Sequence, residues 1–376
     1  MNSILRGMTE ERDPQRAADA IHRQIWRPGL ALAVIFCSPG HDRPALATAL
    51  RERFGDTPLI GCTTAAEIGP LGYRTGAISG FSLASSEFSV ALRTIEDLRR
   101  YAAADSAAIV GSLLGELAAR GTAPSGANTF AFLLVDGSSC REERLAHSLH
   151  LALGDIELFG GSSGDGVDPG HFPYLFHDGG FHRDTAVLAL VTTARPFVVF
   201  KTESYVPTST RMVITEADPE SRSVSEINGE QAALEYARLV GVPVEQLDIS
   251  VFTRFPVGVQ SRGEYYPRSI AWVDEAHRMT FACAIDVGVV LSVAQGTDLM
   301  AGLSQRLEAI RRQVGVPELL IACDCVFRYH EMLARNMVEP VGALMAAHGA
   351  VGFSTYGEQY NSMHINQTLT GVAIGR

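Results

Sequence analysis

Apolar positions along this chain fall into short continuous runs separated by amphipathic stretches, and the same order returns three times. Leu30 to Cys37 is apolar throughout, which predicts a strand buried on both faces. A helical stretch follows over His41 to Phe54. Pro58-Leu59-Ile60 then runs into Gly61-Cys62-Thr63-Thr64-Ala65-Ala66-Glu67, with a further strand over Ala77 to Leu83. The second copy predicts a strand at Thr129 to Asp136, a helix at Glu142 to Leu153, the turn Gly160-Gly161-Ser162-Ser163-Gly164-Asp165 and a strand at Ala186 to Val191. The third predicts a strand at Leu319 to Asp324, a helix at Tyr329 to Ala347, the turn Gly352-Phe353-Ser354-Thr355-Tyr356-Gly357-Glu358 and a closing strand at Leu369 to Ile374. A repeat of this kind points to one structural unit used several times.

The shared turn is a glycine followed by paired small hydroxylated residues and then a carboxylate. Glycine lets backbone approach closely, and hydroxyls supply donors and acceptors without bulk, so three such strand ends can face a polar ligand. The same residue types also close tight turns by bonding their own backbone. Both readings stand at this level. Thr63, Thr64, Glu67, Ser162, Ser163, Asp165, Ser354, Thr355 and Glu358 are therefore candidates for a cleft. Arg328 joins them, either as a bidentate clamp for a carboxylate or as a partner for Asp324 or Glu331.

Between the second and third copies the pattern changes. Asp218 to Ser225 reads as a loop, and Asn228 with Gln231 three residues on reads as the start of an amphipathic helix through Leu239. Strands are predicted at Ser250 to Phe255, Ser269 to Val273, Met279 to Ile285 and Val289 to Ala294, then a helix at Asp298 to Gln313. A domain boundary near position 220 is expected, giving a segment 1–29, a domain 30–220 and a domain 221–376. Repeated strand-helix-strand-strand units predict an α+β protein with mixed sheets.

Charge and motif content narrow the function. The net charge is -11, which opposes a broad phosphate-binding surface and makes nucleic acid and anionic membranes poor partners. No apolar run approaches the ~20 residues that cross a bilayer, and the N-terminal stretch lacks the apolar core of a secretory signal, so a cytoplasmic protein is expected. The six cysteines sit mostly in apolar stretches and are expected as free thiols. No phosphate-binding glycine loop, dinucleotide fingerprint or nucleophile elbow occurs, so no catalytic residue is assigned and no enzyme is expected. Cys323-Asp324-Cys325 lacks the pairing of a zinc site, and His171, His177 and His182 read as a loop cluster.

The turn sequences, with Asn228-Gly229-Glu230-Gln231-Ala232 and Tyr266-Pro267-Arg268-Ser269-Ile270, resemble the FIST sensory domain in its N-terminal and C-terminal parts, over roughly residues 30 to 375. Cys323 to Arg328, Gly352 to Gln359 and Met363-His364-Ile365-Asn366-Gln367-Thr368 resemble more narrowly the nitric-oxide sensing protein (NosP) branch. The resemblance implies two FIST subdomains and a sensor without catalysis that binds a small molecule or gas and reports to a separate histidine kinase or cyclic-di-GMP enzyme, a homodimer being admissible. For the NosP branch it implies haem b and nitric oxide, with no metal outside the haem. His364, beside the third turn, is the leading axial ligand, with His330, His177 and His182 in reserve. The alternative is a sensor of a small polar metabolite such as an amino acid, without haem.

Overall fold

The computed structural model describes residues 2–167, 172–202, 204–261 and 263–376, and the recurrence in the sequence is its architecture. Unit one runs β1 (Ile4–Thr9), α1 (Pro14–Ile25), β2 (Leu30–Cys37), α2 (Arg43–Phe54), β3 (Leu59–Thr63), a hairpin of β4 (Ala66–Gly69) and β5 (Gly72–Arg74), and β6 (Ile78–Ala84). Unit two repeats it with β7 (Phe88–Ile95), α3 (Asp105–Ala119), β8 (Thr129–Val135), α4 (Glu142–Leu153), β9 (Leu158–Ser162), the hairpin β10 (Leu175–His177) and β11 (Gly180–His182), and β12 (Ala186–Thr193). Unit three opens with β13 (Phe197–Thr202), which is followed by an insert. The insert comprises β14 (Tyr205–Asp218), β15 (Ser223–Ile227), β16 (Glu230–Gln231), α5 (Ala232–Val240), α6 (Ile249–Arg254), β17 (Val257–Ser261), β18 (Glu264–Pro267), β19 (Ile270–Val273), β20 (Met279–Phe281) and β21 (Val290–Gly296). Unit three then resumes with α7 (Leu299–Val314), β22 (Leu319–Cys325), α8 (Val326–Ala334), α9 (Val338–Ala347), β23 (Ala350–Thr355), the hairpin β24 (Glu358–Tyr360) and β25 (Met363–Ile365), and β26 (Leu369–Ile374).

Each unit builds a mixed sheet, with two parallel strands at its centre and the closing strand antiparallel to the first of them. The hairpins do not stay at home. The sheet orders are β1-β6-β2-β3-β10-β11, β7-β12-β8-β9-β24-β25 and β13-β26-β22-β23-β4-β5, so every unit donates its hairpin to the edge of another unit's sheet. The three inner faces pack on one core, in which Phe36 stacks on Phe353 with ring centroids 4.7 Å apart and Phe132 stacks on Phe159. Alternate residues of β2 serve both sides. Leu32, Val34 and Phe36 face that core, while Ala33, Ile35 and Cys37 lie under α1 and α2. Helices α3 and α4 cover the second sheet, and α7 and α9 cover the third. The result is a three-sided prism with helices outside, an α+β fold.

Local chemistry explains the element ends. Asp13 and Asp42 cap α1 and α2 by accepting from the backbone N–H of Arg16 and Ala45, with proline in each first turn. Residues 2–29, expected to stand outside the domains, instead supply β1 and α1 of unit one. The single helix expected at Tyr329 to Ala347 is two, α8 and α9, parted where Asn336 takes a positive φ of 53°.

The insert is its own small body, a sheet ordered β18-β17-β21-β14-β15-β20-β19 with α5 and α6 packed on it. Here the sequence misled most. Ser250 to Phe255, expected as a strand, is α6, because the Asp248 carboxylate accepts from the N–H of Ser250 and Val251 and caps a helical turn. Asn228, expected as a helix cap, sits at φ 55° in the turn between β15 and β16 and binds the Val213 N–H, so α5 begins at Ala232. Position 220, expected as a domain boundary, lies in the turn between β14 and β15, inside the insert. The chain leaves and re-enters the prism near Ser204 and Thr297, whose backbones are bonded to each other.

Candidate functional site

The hydroxylated turns meet at the pseudo-threefold axis of the prism. Gly164 N–H donates to Thr63 O at 2.9 Å, Ala65 N–H to Ser354 O at 3.0 Å and Tyr356 N–H to Ser162 O at 3.0 Å. By strand register the three donors are equivalent to one another, as are the three acceptors. This closed ring ties the units together where their hairpins cross. The side chains follow the same pattern. Thr64 bonds Glu67, and the equivalent Thr355 bonds Glu358. Glu67 also accepts from Ala77 N–H, and Glu358 from the N–H and hydroxyl of Thr368. Burial pushes both carboxyls up to about 8. Ser163 Oγ accepts from Gly137 N–H, Ser162 Oγ from the Gln359 amide, Thr63 Oγ1 from Tyr174 N–H, and Asp165 from the Tyr356 hydroxyl. The structure thus gathers the turn residues in one place, buried and bonded to one another through the backbone ring and to neighbouring strands through their side chains. Ser354 Oγ lacks a hydrogen-bond partner.

Arg328 also looks inward. It is fully buried, with Nε donating to Asp324 Oδ1 at 2.5 Å and Nη1 to Ser204 Oγ at 3.2 Å, while Tyr73 bonds the other Asp324 oxygen. Burial opposes its charge, but Asp324 outweighs it and holds the guanidinium above its ordinary value. Of the readings left open by the sequence, the geometry is that of a structural partner for Asp324, located where the insert joins the prism.

The cavity of interest lies between the insert and the prism and has a volume of about 440 Å³. From the prism come residues following the parallel strand pairs of units two and three: Gly137, Cys140 and Val167, with Val326, Phe327 and His330 of α8, and Tyr356. From the insert come Ile249 of α6, Ala271, Trp272, Phe281 and Ala282. A crevice beyond the carboxyl ends of parallel strands is where open α/β sheets bind ligands, and an apolar pocket with a few polar groups is the usual form of a small-molecule site. Its main charged group is Arg222. The guanidinium is buried, with Nη2 donating at 2.8 Å to both Glu142 and Glu143 at the start of α4 and Nη1 donating to Ala282 O at 3.1 Å. Burial works against this charge, yet the two carboxylates hold it above its usual value. The cation is therefore compensated, and the groove offers apolar walls rather than a free charge.

The histidines fall in different places. His330 lines this groove. His177 lines a second cavity of about 630 Å³ beside the end of α2; its Nδ1 bonds Asp178, and its ring stacks on His182 at 4.2 Å. His171 lies outside the described residues. His364, the leading candidate for a haem ligand, is buried on β25 against Gly357, where a Cβ would come within 2.7 Å of its Nε2. Its Nε2 faces that main chain and Asn366 Nδ2, and His364 is not among the residues lining the groove. His330 and Cys140 are side chains of ligating type that border an apolar space, so a haem at this groove would draw on them. No group of three or more metal-ligating side chains occurs among the described residues.

Sequence comparison agrees with the division into prism and insert only in part. The chain matches the FIST N domain over residues 31–230 and the FIST C domain over residues 232–361. It belongs to the FIST family. FIST domains are ligand-binding sensor domains of signalling proteins, sensory rather than catalytic. The junction of the two FIST segments falls inside the insert, so the FIST C segment holds both most of the insert and most of unit three, and the groove is lined from both FIST segments. No curated protein matches the chain. No helix among the described residues is long and apolar enough to cross a membrane. Sequence reasoning missed Arg222, Trp272 and Phe327. Arg222 sits in the turn between β14 and β15 at a positive φ of 54°, within the stretch read as loop, and nothing local in the sequence marks its pairing with Glu142 and Glu143.

Proposed function

We propose that this chain is a small-molecule sensor whose ligand sits in the groove between insert and prism. The observation that carries the reading is the groove's position. It is the apolar cavity shared by two bodies joined through a narrow pair of linkers, so a ligand that touches both biases their arrangement. A separate signalling protein, a histidine kinase or a cyclic-di-GMP enzyme, then reads that arrangement. Trp272 on the groove wall provides the test. Titration of the full chain with ethylbenzene should change its fluorescence saturably, and Ala271→Phe, which fills the groove, should abolish the change. An unchanged signal in the filled variant would place binding elsewhere.

A second reading, nitric oxide sensing through haem in the manner of the NosP branch, draws support from His330 on the same apolar wall. Haem would supply iron for gas binding, His330 would ligate it, and the apolar walls would exclude water. Its check is the visible spectrum of haemin-loaded protein. A saturable Soret band that moves with nitric oxide and is lost in His330→Ala supports it, and no band, or one indifferent to His330, removes it.

A further inference from the structure

Immediately behind the groove lies an unusual concentration of buried polar atoms without partners. His364 Nε2, Asn366 Nδ2, Ser269 Oγ, Gln359 Oε1 and Gln367 Oε1 all lack a hydrogen bond, and every one of these residues is at least nine-tenths buried. Native interiors leave few such groups, and each costs about 1–3 kcal/mol, so a cluster of this size needs an account. Four of the five residues contact one another, and Gln367 follows Asn366 in the chain with its amide donating to Phe252 O at 3.3 Å. His364 Nε2 and Asn366 Nδ2 lie 2.7 and 2.9 Å from the same point beside the Gly357 Cα, Gln359 Nε2 donates to His364 Nδ1 at 3.1 Å, and Ser269 N–H meets Asn366 Oδ1 at 3.4 Å. Both neighbours of the cluster on the groove side line the groove itself. Tyr356 precedes Gly357, and Ala282 donates its N–H to Ser269 O.

We infer that this polar seam receives the head group of the groove's ligand and that the ligand is a small neutral molecule with an apolar body and a carboxamide head. This rests on the groove being the ligand site. The amide of Gln359 fixes the His364 tautomer with its proton on Nε2, so His364 and Asn366 present donors for a carbonyl oxygen. Gln359 Oε1 and the Ser269 hydroxyl present acceptors for an amide N–H. Burial holds His364 below its ordinary value and hence neutral. The fixed charges around the seam, Arg222 and Arg268 against Glu142 and Glu143, already balance, so an ionic head would bring an uncompensated charge into a buried site. Reaching the seam requires Tyr356 and Ala282 to part, a movement at the junction between insert and prism.

Calorimetric titration of the full chain with phenylacetamide, methyl phenylacetate, phenylacetate and ethylbenzene tests this. The amide should bind about tenfold or more tighter than the ester, which accepts but does not donate, with the anion and the hydrocarbon weaker still. Asn366→Asp should cost the amide about tenfold and leave ethylbenzene unchanged, and the ranking in the unmodified protein decides even if that variant fails to fold. Equal binding of amide and hydrocarbon, both lost in Ala271→Phe, would overturn the carboxamide head and leave the groove standing. Binding of all four unaffected by Ala271→Phe, or no binding, would overturn the groove and the head group together.

Discussion

The prism and the insert solve the problem of stability differently. In the prism each central strand is buried on both faces, the three hairpins are exchanged, and the turns close a ring of hydrogen bonds on themselves. The insert has one sheet with helices on it and leaves Trp272, Val206, Val213 and Val290 substantially exposed. The buried polar atoms without partners around the groove lie along the line where the two meet. The backbone ring of the turns repeats with the symmetry, and the insert, which interrupts unit three after β13, breaks it. A ligand site follows from the break, because there apolar walls from two separately built bodies face each other beside unspent hydrogen-bonding capacity.

The strongest way to break the comparison is at the glycines that open the turns. A Cβ on Gly61, Gly160 or Gly352 would lie 2.0, 1.9 or 1.8 Å from a carbonyl oxygen of the neighbouring strand. Backbone cannot yield there without parting the parallel pair, so Gly352→Ala should cost more than about 5 kcal/mol and abolish folding, as should the other two. Gly229→Ala in the insert meets nothing within 4 Å and pays only for its φ of 79°, so it should still yield soluble, folded protein. Expression and circular dichroism of the four variants decide it; a folded Gly352→Ala would mean that the strands are not held as described.

Next comes the ion pair at the root of the insert. Arg328→Met leaves Asp324 buried without its cation, and a broken buried pair costs about 3–5 kcal/mol. The thermal midpoint should fall by many degrees, while Asp324→Asn, which keeps an acceptor for Arg328 and a partner for Tyr73, should lose less. Small losses in both variants would place the weight on packing rather than charge. At the seam itself, Arg222→Met removes the partner of Glu142 and Glu143 and should cost about 2 kcal/mol or more. Its signature is local. Amide exchange should rise through β14 to β21 while β2, β8 and β22 stay protected, and uniform exchange across both bodies would show that they unfold as one.

Much of the prism is visible in the sequence because its units repeat. The Gly-x-[Ser/Thr]-[Ser/Thr] turns located three equivalent strand ends, and the continuous apolar runs at Leu30, Thr129 and Leu319 located the strands feeding them. The hairpin exchange was not visible, since Ala66 to Arg74 carries no mark of whether it pairs within unit one or in unit three, where it lies. In the insert no repeat was available to arbitrate, and a short apolar run such as Ile249 to Phe252 fits strand or helix alike until the Asp248 cap is seen. The groove was least legible of all. Its walls come from chain segments as far apart as Cys140, Trp272 and Phe327, and single apolar residues at such distances share no pattern.

The last difference is one of pH. Glu67 and Glu358 are acids whose folded value, about 8, stands above the ordinary 4.5, so the fold holds their protons where the unfolded chain releases them. Their contribution is complete below pH about 4.5 and is lost as pH rises to about 8, with a slope of about 1.4 kcal/mol per pH unit for each group. The geometry accommodates the proton. Thr64 Oγ1 lies within reach of both Glu67 and the Cys37 carbonyl, and one hydroxyl hydrogen serves only one of them, so a protonated Glu67 can donate to Thr64 while Thr64 donates to Cys37 O. Unit two has Gly166 at this position and contributes no such group. In the insert Glu235 runs the other way. Its hydrogen bond to Arg238 lowers its value, so its contribution is present above the unfolded value and is lost as pH falls through the folded one. The difference in unfolding free energy between the unmodified chain and Glu67→Gln, followed by denaturant titration from pH about 5 to about 8, isolates one group's slope. Glu67→Gln should gain on the unmodified protein as pH rises, and its infrared spectrum should lose a protonated-carboxyl band. A pH-independent difference, with no such band to lose, would mean that Glu67 is ionised in the core and that the axis of the prism holds charge rather than a shared proton.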